Sequence, residues 1–184
     1  MPADWDEIRA LLSRPALAAQ SGFAQGVRST AAGAPGPHPD RILPAELQEW
    51  LAIFNGSHLG QGGLFGVGTP EAYLDIAFHC SLHPEWRARG WIPVAGDGCG
   101  SYYVLLAGQD RDKGRPVLFV DTSDDSGAGN YLVASSLFQF LRFYLEAAIG
   151  RTGWPFAKAH VLERDPAILD VRALALPWDD LARA

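Results

Sequence analysis

Three clusters in the 184-residue chain carry side chains suited to chemistry. In Asp97-Gly98-Cys99-Gly100 a thiol sits between glycines, and a histidine brought near it would lower its pKa and generate a nucleophilic thiolate. The same tetrapeptide also suits a tight connection between two strands, because glycine tolerates positive φ and an aspartate bonds the turn backbone. No motif of a cysteine enzyme surrounds Cys99, so the turn reading prevails. His79 and His83, four apart, would place nitrogens on one side of a helix, and Cys99 could add a thiolate for tetrahedral zinc. Against this, Cys80 falls in the middle of an apolar stripe, His79 at its margin, and His83 precedes Pro84, where helical geometry is disfavoured. The expectation is a small buried cysteine and two partly exposed histidines, with no metal and no cofactor.

Asp121, Asp124 and Asp125 in VDTSDDSGAGN lack the alternating ligands and final bidentate glutamate of a calcium loop. They form an acidic loop suited to steering a basic protein partner. With Asp97 and Tyr102 they make up the candidate partner-binding residues. Trp86, Trp91, Tyr102, Tyr103 and Tyr131 are mostly core candidates, although any of them on an open sheet face would be an interface anchor. The chain has no G-x-S-x-G, Walker loop, H-E-x-x-H or dinucleotide fingerprint. No catalytic residue is assigned, and a non-enzymatic role is expected.

Composition narrows the surroundings. Twenty-one acidic against fifteen basic residues give a formal charge of −6, with the basic ones scattered, which disfavours direct nucleic-acid binding. No apolar run approaches the roughly 18 residues of a membrane span. With two cysteines and no secretory signal in MPADWDEIRALL, a cytoplasmic location is expected. Apolar residues at 48% and charged ones at 20% are ordinary for a folded domain.

The elements that position these residues follow from periodicity. Asp4 caps a first helix carrying Trp5, Ile8, Leu11 and Leu12, which ends near Pro15; residues 15–41, rich in Ala, Gly and Pro, read as linker. A second helix opens at Pro44, buries Leu43, Leu47, Trp50, Leu51 and Phe54, and stops at Asn55-Gly56 with Gly56 as its left-handed cap. Leu64–Val67 reads as a strand. Thr69-Pro70-Glu71 opens a helix that buries Tyr73, Ile76, Ala77 and Cys80 and ends at Pro84. Strands at Trp91–Ala95, Ser101–Ala107 and Pro116–Asp121, joined by glycine-bearing turns, form an antiparallel meander, with a short strand at Tyr131–Val133. Ser136 and Gln139 open the strongest helix, which buries Leu137, Phe140, Leu141, Tyr144, Leu145 and Ala148 and ends at Gly150. A short helix capped by Asp165 with Pro166 at its first position follows.

This order resembles the SUKH superfamily of Smi/Knr-like domains. The resemblance rests on the L-P-x-x-L-x-x-W-L helix (Leu43, Pro44, Leu47, Trp50, Leu51) with Asn55-Gly56, then Pro93 and the Asp97-Gly98-x-Gly100 turn with Tyr102 and Tyr103. It continues through the V-x-F-x-D strand (Val117, Phe119, Asp121) and the closing helix with Ser136, Phe138, Phe140 and Leu141. It implies an α+β fold, a mostly antiparallel sheet with flanking helices, used for protein recognition. Many bacterial members resemble immunity proteins that neutralise a cognate toxin, often a nuclease, while fungal relatives are regulatory scaffolds. The expected organisation is an N-terminal helix and linker (1–41), a SUKH-like domain (42–150) and a C-terminal extension packed on it (151–184).

Overall fold

The computed structural model describes residues 5–18, 43–108, 114–123, 130–151, 156–171 and 174–179. Asp4, most of the linker, Asp124, Asp125 and Trp154-Pro155 lie outside the described residues.

Four strands, β1 (Trp91–Gly96), β2 (Tyr102–Leu106), β3 (Val117–Val120) and β4 (Tyr131–Ala134), form one antiparallel sheet in sequence order. The meander is the economical result of short connections between consecutive strands. Its apolar runs are buried on both faces. Tyr103, Leu105, Val117 and Phe119 belong to the main core, while Val104, Leu106, Leu118 and Val120 form a second cluster around Trp86. β2 and β3 therefore present no open sheet face on which one of the sheet aromatics could serve as an interface anchor.

The main core is closed by α1 (Trp5–Leu12), α3 (Ala45–Ile53) and α6 (Leu137–Ala148). Their inward stripes, Ile8 and Leu11, Leu47 and Trp50, Phe140 and Leu141, are at most 4% exposed. Ser136 caps α6 by accepting from the Gln139 N–H, but the Gln139 side chain donates to the Arg164 carbonyl, so the capping box is half-made. Arg142 and Glu146 are buried on α6: Arg142 pairs with Glu7 of α1 at 2.9 Å, and Glu146 with His160 at 2.8 Å.

Several local expectations are corrected. Pro15 begins a short helix, α2 (Pro15–Ala18), because proline fits a first turn and Leu17 is fully buried. Helix α3 ends at Ile53 with Phe54 already extended, so Gly56, at φ +77°, lies beyond the cap. Asn55 instead pairs its side-chain amide with both the N–H and the carbonyl of Val67. Leu64–Val67 makes only isolated bridges, Leu64 with Ser57 and Ala95, and Gly66 with Asp75.

The last of those bridges displaces the next helix. The Gly66 N–H donates to the Leu74 carbonyl and the Ile76 N–H to the Gly66 carbonyl, which holds Asp75 extended between them, so no continuous helix can run from Thr69 through Ile76. A 3-10 turn (Ala72–Leu74) comes first, and α4 (Ile76–Leu82) is then capped by Asp75, whose carboxylate accepts from the Ala77 N–H. Pro84 ends α4 as expected, and α5 (Glu85–Arg89) follows directly.

Beyond α6, α7 (Lys158–Arg164) was not anticipated, and Pro166–Asp170 is a 3-10 turn. Asp165 does not cap that turn with its side chain. It is buried and accepts from the N–H and hydroxyl of Ser135, at the end of β4. Phe156, Val161, Ile168 and Val171 join the main core.

Candidate protein-binding surface

The turn between β1 and β2 is built as its residues dictate. One carboxylate oxygen of Asp97 accepts from the N–H of Cys99 at 2.8 Å and of Ser101 at 2.9 Å, while Gly98 and Gly100 take φ of +83° and +104°. The segment after α3 packs tightly on this turn: a Cβ at Gly62 would lie 2.3 Å from the Gly96 carbonyl carbon. Cys99 is exposed.

Strand pairing gathers three of the predicted partner-binding residues at one end of the sheet. Gly96 pairs with Tyr102 and Tyr102 with Val120, which brings Asp97, Tyr102 and Asp121 to a common rim. Asp121 accepts from the N–H of Ser123 at 2.9 Å and from its hydroxyl at 2.6 Å. Its own N–H donates to Asn130. The carboxylates of Asp97 and Asp121 therefore shape their loops in addition to lending charge to the rim. Asp124 and Asp125, the other two predicted contacts, lie outside the described residues.

Tyr102 is half-buried in an aromatic cluster, with ring centroids 5.1 Å from His83, 5.2 Å from His79 and Trp86, and 6.2 Å from Phe65. His83 stacks on Trp86 at 4.1 Å. His79 is buried, not marginal as expected. Its Nε2 lies 2.7 Å from the Tyr73 carbonyl, which can only accept, so Nε2 carries the proton and Nδ1 is left to accept from the Tyr102 hydroxyl at 3.3 Å. Burial lowers its pKa. Both ring nitrogens are thus engaged, and neither is directed at Cys99 as a base. Cys80 is buried with its thiol pushed up to about 11, chiefly by desolvation. Among the described residues no three His, Cys, Asp or Glu side chains are grouped to hold a metal.

The feature that sequence reasoning missed lies on the other side of α4. Ile76, His79 and Cys80 face inward. Phe78 and Leu82, one turn apart, point outward at 39% and 53% exposure, and Tyr73 on the preceding 3-10 turn is 52% exposed. Tyr73 and Ala77 had been expected in the buried stripe; starting the helix at Asp75 changes its phase and brings both to the surface. The signal was in the sequence, since IAFHCSL has no charged residue with which to form a solvated face.

A pocket beside this region, lined by Asn55, Gly56, Thr69, Glu71 and Leu74 among others, holds about 100 Å³, well below the roughly 300–1,000 Å³ typical of small-molecule sites. The chemistry on offer here is surface contact. Apolar and aromatic side chains stand beside a rim of carboxylates.

A four-stranded antiparallel meander between helices makes the chain an α+β protein. The SMI1 / KNR4 family (SUKH-1) model matches residues 40–142, more than half of the chain, and the chain belongs to that family. The match spans α3, α4, α5 and the whole sheet and ends within α6. No curated protein and no solved structure matches the chain. Among the described residues no helix is long and apolar enough to cross a membrane.

Proposed function

We propose that the protein is a non-enzymatic immunity protein that binds and neutralises a cognate toxin in the cytoplasm, a toxin nuclease being the candidate partner. Membership of the SMI1 / KNR4 family over the segment that builds the sheet carries this reading. Two free cysteines suit a reducing compartment. The reading is also supported by the engagement of His79 in structural hydrogen bonds and by the inert, buried Cys80 thiol, which leave the His/Cys cluster without an evident catalytic assignment. Asp97, Tyr102 and Asp121, with Asp124 and Asp125 a few residues on in the sequence, would supply the acidic side of the contact and steer a basic partner.

Co-expression with a toxin gene found beside this one tests the proposal. Growth should be restored by the chain and a stable complex recovered. Continued growth arrest with no complex would remove the immunity reading.

A further inference from the structure

Single exposed apolar side chains are ordinary on a protein surface; a local concentration of them is not. Among the described residues four large hydrophobics are exposed, and three of them, Tyr73, Phe78 and Leu82, fall within ten residues of chain. The fourth, Leu169, lies apart in the 3-10 turn after α7. The outer face of α4 has no Asp, Glu, Lys or Arg between Ile76 and Leu82 that would make it a solvated surface. It is also held rigidly. Asp75 fixes the start of the helix, His79 is bonded to the Tyr73 carbonyl, and Tyr73 donates or accepts a hydrogen bond with His58 at 2.9 Å. Aromatic and aliphatic anchors on a fixed backbone lose little entropy on docking.

We propose that the outer face of α4, with Tyr73, Phe78 and Leu82 as anchors, is the docking site for a cationic protein surface. This rests on the immunity reading above and names where and to what the chain binds. Charge selects the occupant. Between Thr69 and Gly100 the chain carries four acidic residues, Glu71, Asp75, Glu85 and Asp97, against two basic ones, Arg87 and Arg89. Arg89 is stacked over the Trp91 ring at 4.8 Å. Glu85 sits 3.6 Å from His83, at the end of α4, with its side chain half exposed. A second copy of the chain would bring another formal charge of −6 to the contact, and an anionic lipid surface would be repelled by the same carboxylates. A protein with Lys and Arg around an apolar recess matches both the anchors and the rim.

The test uses the full chain with a photo-reactive benzoylphenylalanine at position 78, or at position 169 as control, expressed in the organism that encodes it. Crosslinking from position 78 and not from 169 to an identified protein of net positive charge is the expected result. That protein, purified, should lose about ten-fold or more in affinity to Phe78→Asp and to Leu82→Asp, as for buried interface anchors, and keep its affinity for Leu169→Asp. Urea midpoints of the variants near wild type would show that the fold is retained, and Glu85→Lys should slow association several-fold. Equal crosslinking from both positions, a neutral or acidic partner, capture of a second copy, or unchanged affinity in both Asp variants would overturn the proposal. If a toxin is neutralised with unchanged affinity by the variants, the docking face is wrong and the immunity reading stands. If a cationic protein binds through Phe78 but no toxin is neutralised, the face stands and the immunity reading falls.

Discussion

His79 donates its Nε2 proton to the carbonyl oxygen of Tyr73 at 2.7 Å, so a buried imidazole holds the backbone of an exposed aromatic. The ring is 7% exposed and stacks on Phe65 at 4.0 Å. Burial favours the neutral ring, in which Nδ1 accepts from the Tyr102 hydroxyl, since protonating Nδ1 would place a charge in a desolvated site and force that hydroxyl to turn from donor to acceptor.

The consequence is a pH dependence of stability. Desolvation lowers the His79 pKa below 6.5; the Tyr73 bond opposes this, His83 adds to it and Asp75 opposes it. Below about pH 6.5 the unfolded chain binds a proton at His79 that the folded chain resists, so this contribution is fully present above that pH and is lost as pH falls toward the folded value. The urea midpoint should drop between about pH 7.5 and about pH 5.5, and by less in His79→Gln. An equal drop in the variant would place the effect elsewhere.

Asp97 should matter to the turn before it matters to any partner. Its carboxylate satisfies the N–H groups of Cys99 and Ser101, and Asp97→Ala should cost about 1–2 kcal/mol by urea denaturation. Asp97→Asn keeps an acceptor and should cost less. A neutral alanine variant would mean that Gly98 and Gly100 shape the turn unaided.

The two cysteines should separate cleanly under alkylation. Cys99 is exposed, whereas Cys80 is buried with a thiol pushed up to about 11. Iodoacetamide at about pH 7.5 should label Cys99 alone in the folded protein, and Cys80 only on unfolding. Peptide mapping reads this directly, and early labelling of Cys80 would show that the interior beneath α4 opens readily.

What could be read from the sequence follows from how local each signal is. The stripes of α3 and α6 were legible because Leu47, Trp50, Leu51, Phe140 and Leu141 repeat at the helical period and meet the core on that side. The β1–β2 turn was legible because Asp97 and its glycines act within five residues. The start of α4 was not. Thr69-Pro70-Glu71 is a good local helix start, but the backbone of Gly66 pairs across residues 74–76 and overrides it. That single non-local pairing reversed the assignment of Tyr73 and Ala77 from core to surface. In the same way Asp165 looked like a cap from its neighbour Pro166, while its true partner, Ser135, lies thirty residues earlier.

Asp165 supplies the final prediction. It is 2% exposed and its two carboxylate oxygens accept from the N–H and hydroxyl of Ser135, joining the segment after α7 to the end of β4. Replacing Ser135 with alanine removes one donor and leaves the backbone bond, for a cost of about 1–2 kcal/mol. Asp165→Ala removes the acceptor for both and leaves a buried N–H to find another partner, so a larger loss of about 2–4 kcal/mol is expected. Because Phe156, Val161, Ile168 and Val171 share the main core with the sheet and α6, the loss should appear in one global unfolding transition. Urea curves followed by tryptophan fluorescence and far-UV circular dichroism should therefore coincide in Asp165→Ala. Separated transitions would mean that the segment after α6 unfolds as a unit of its own and that its contacts with the core are not cooperative with the sheet.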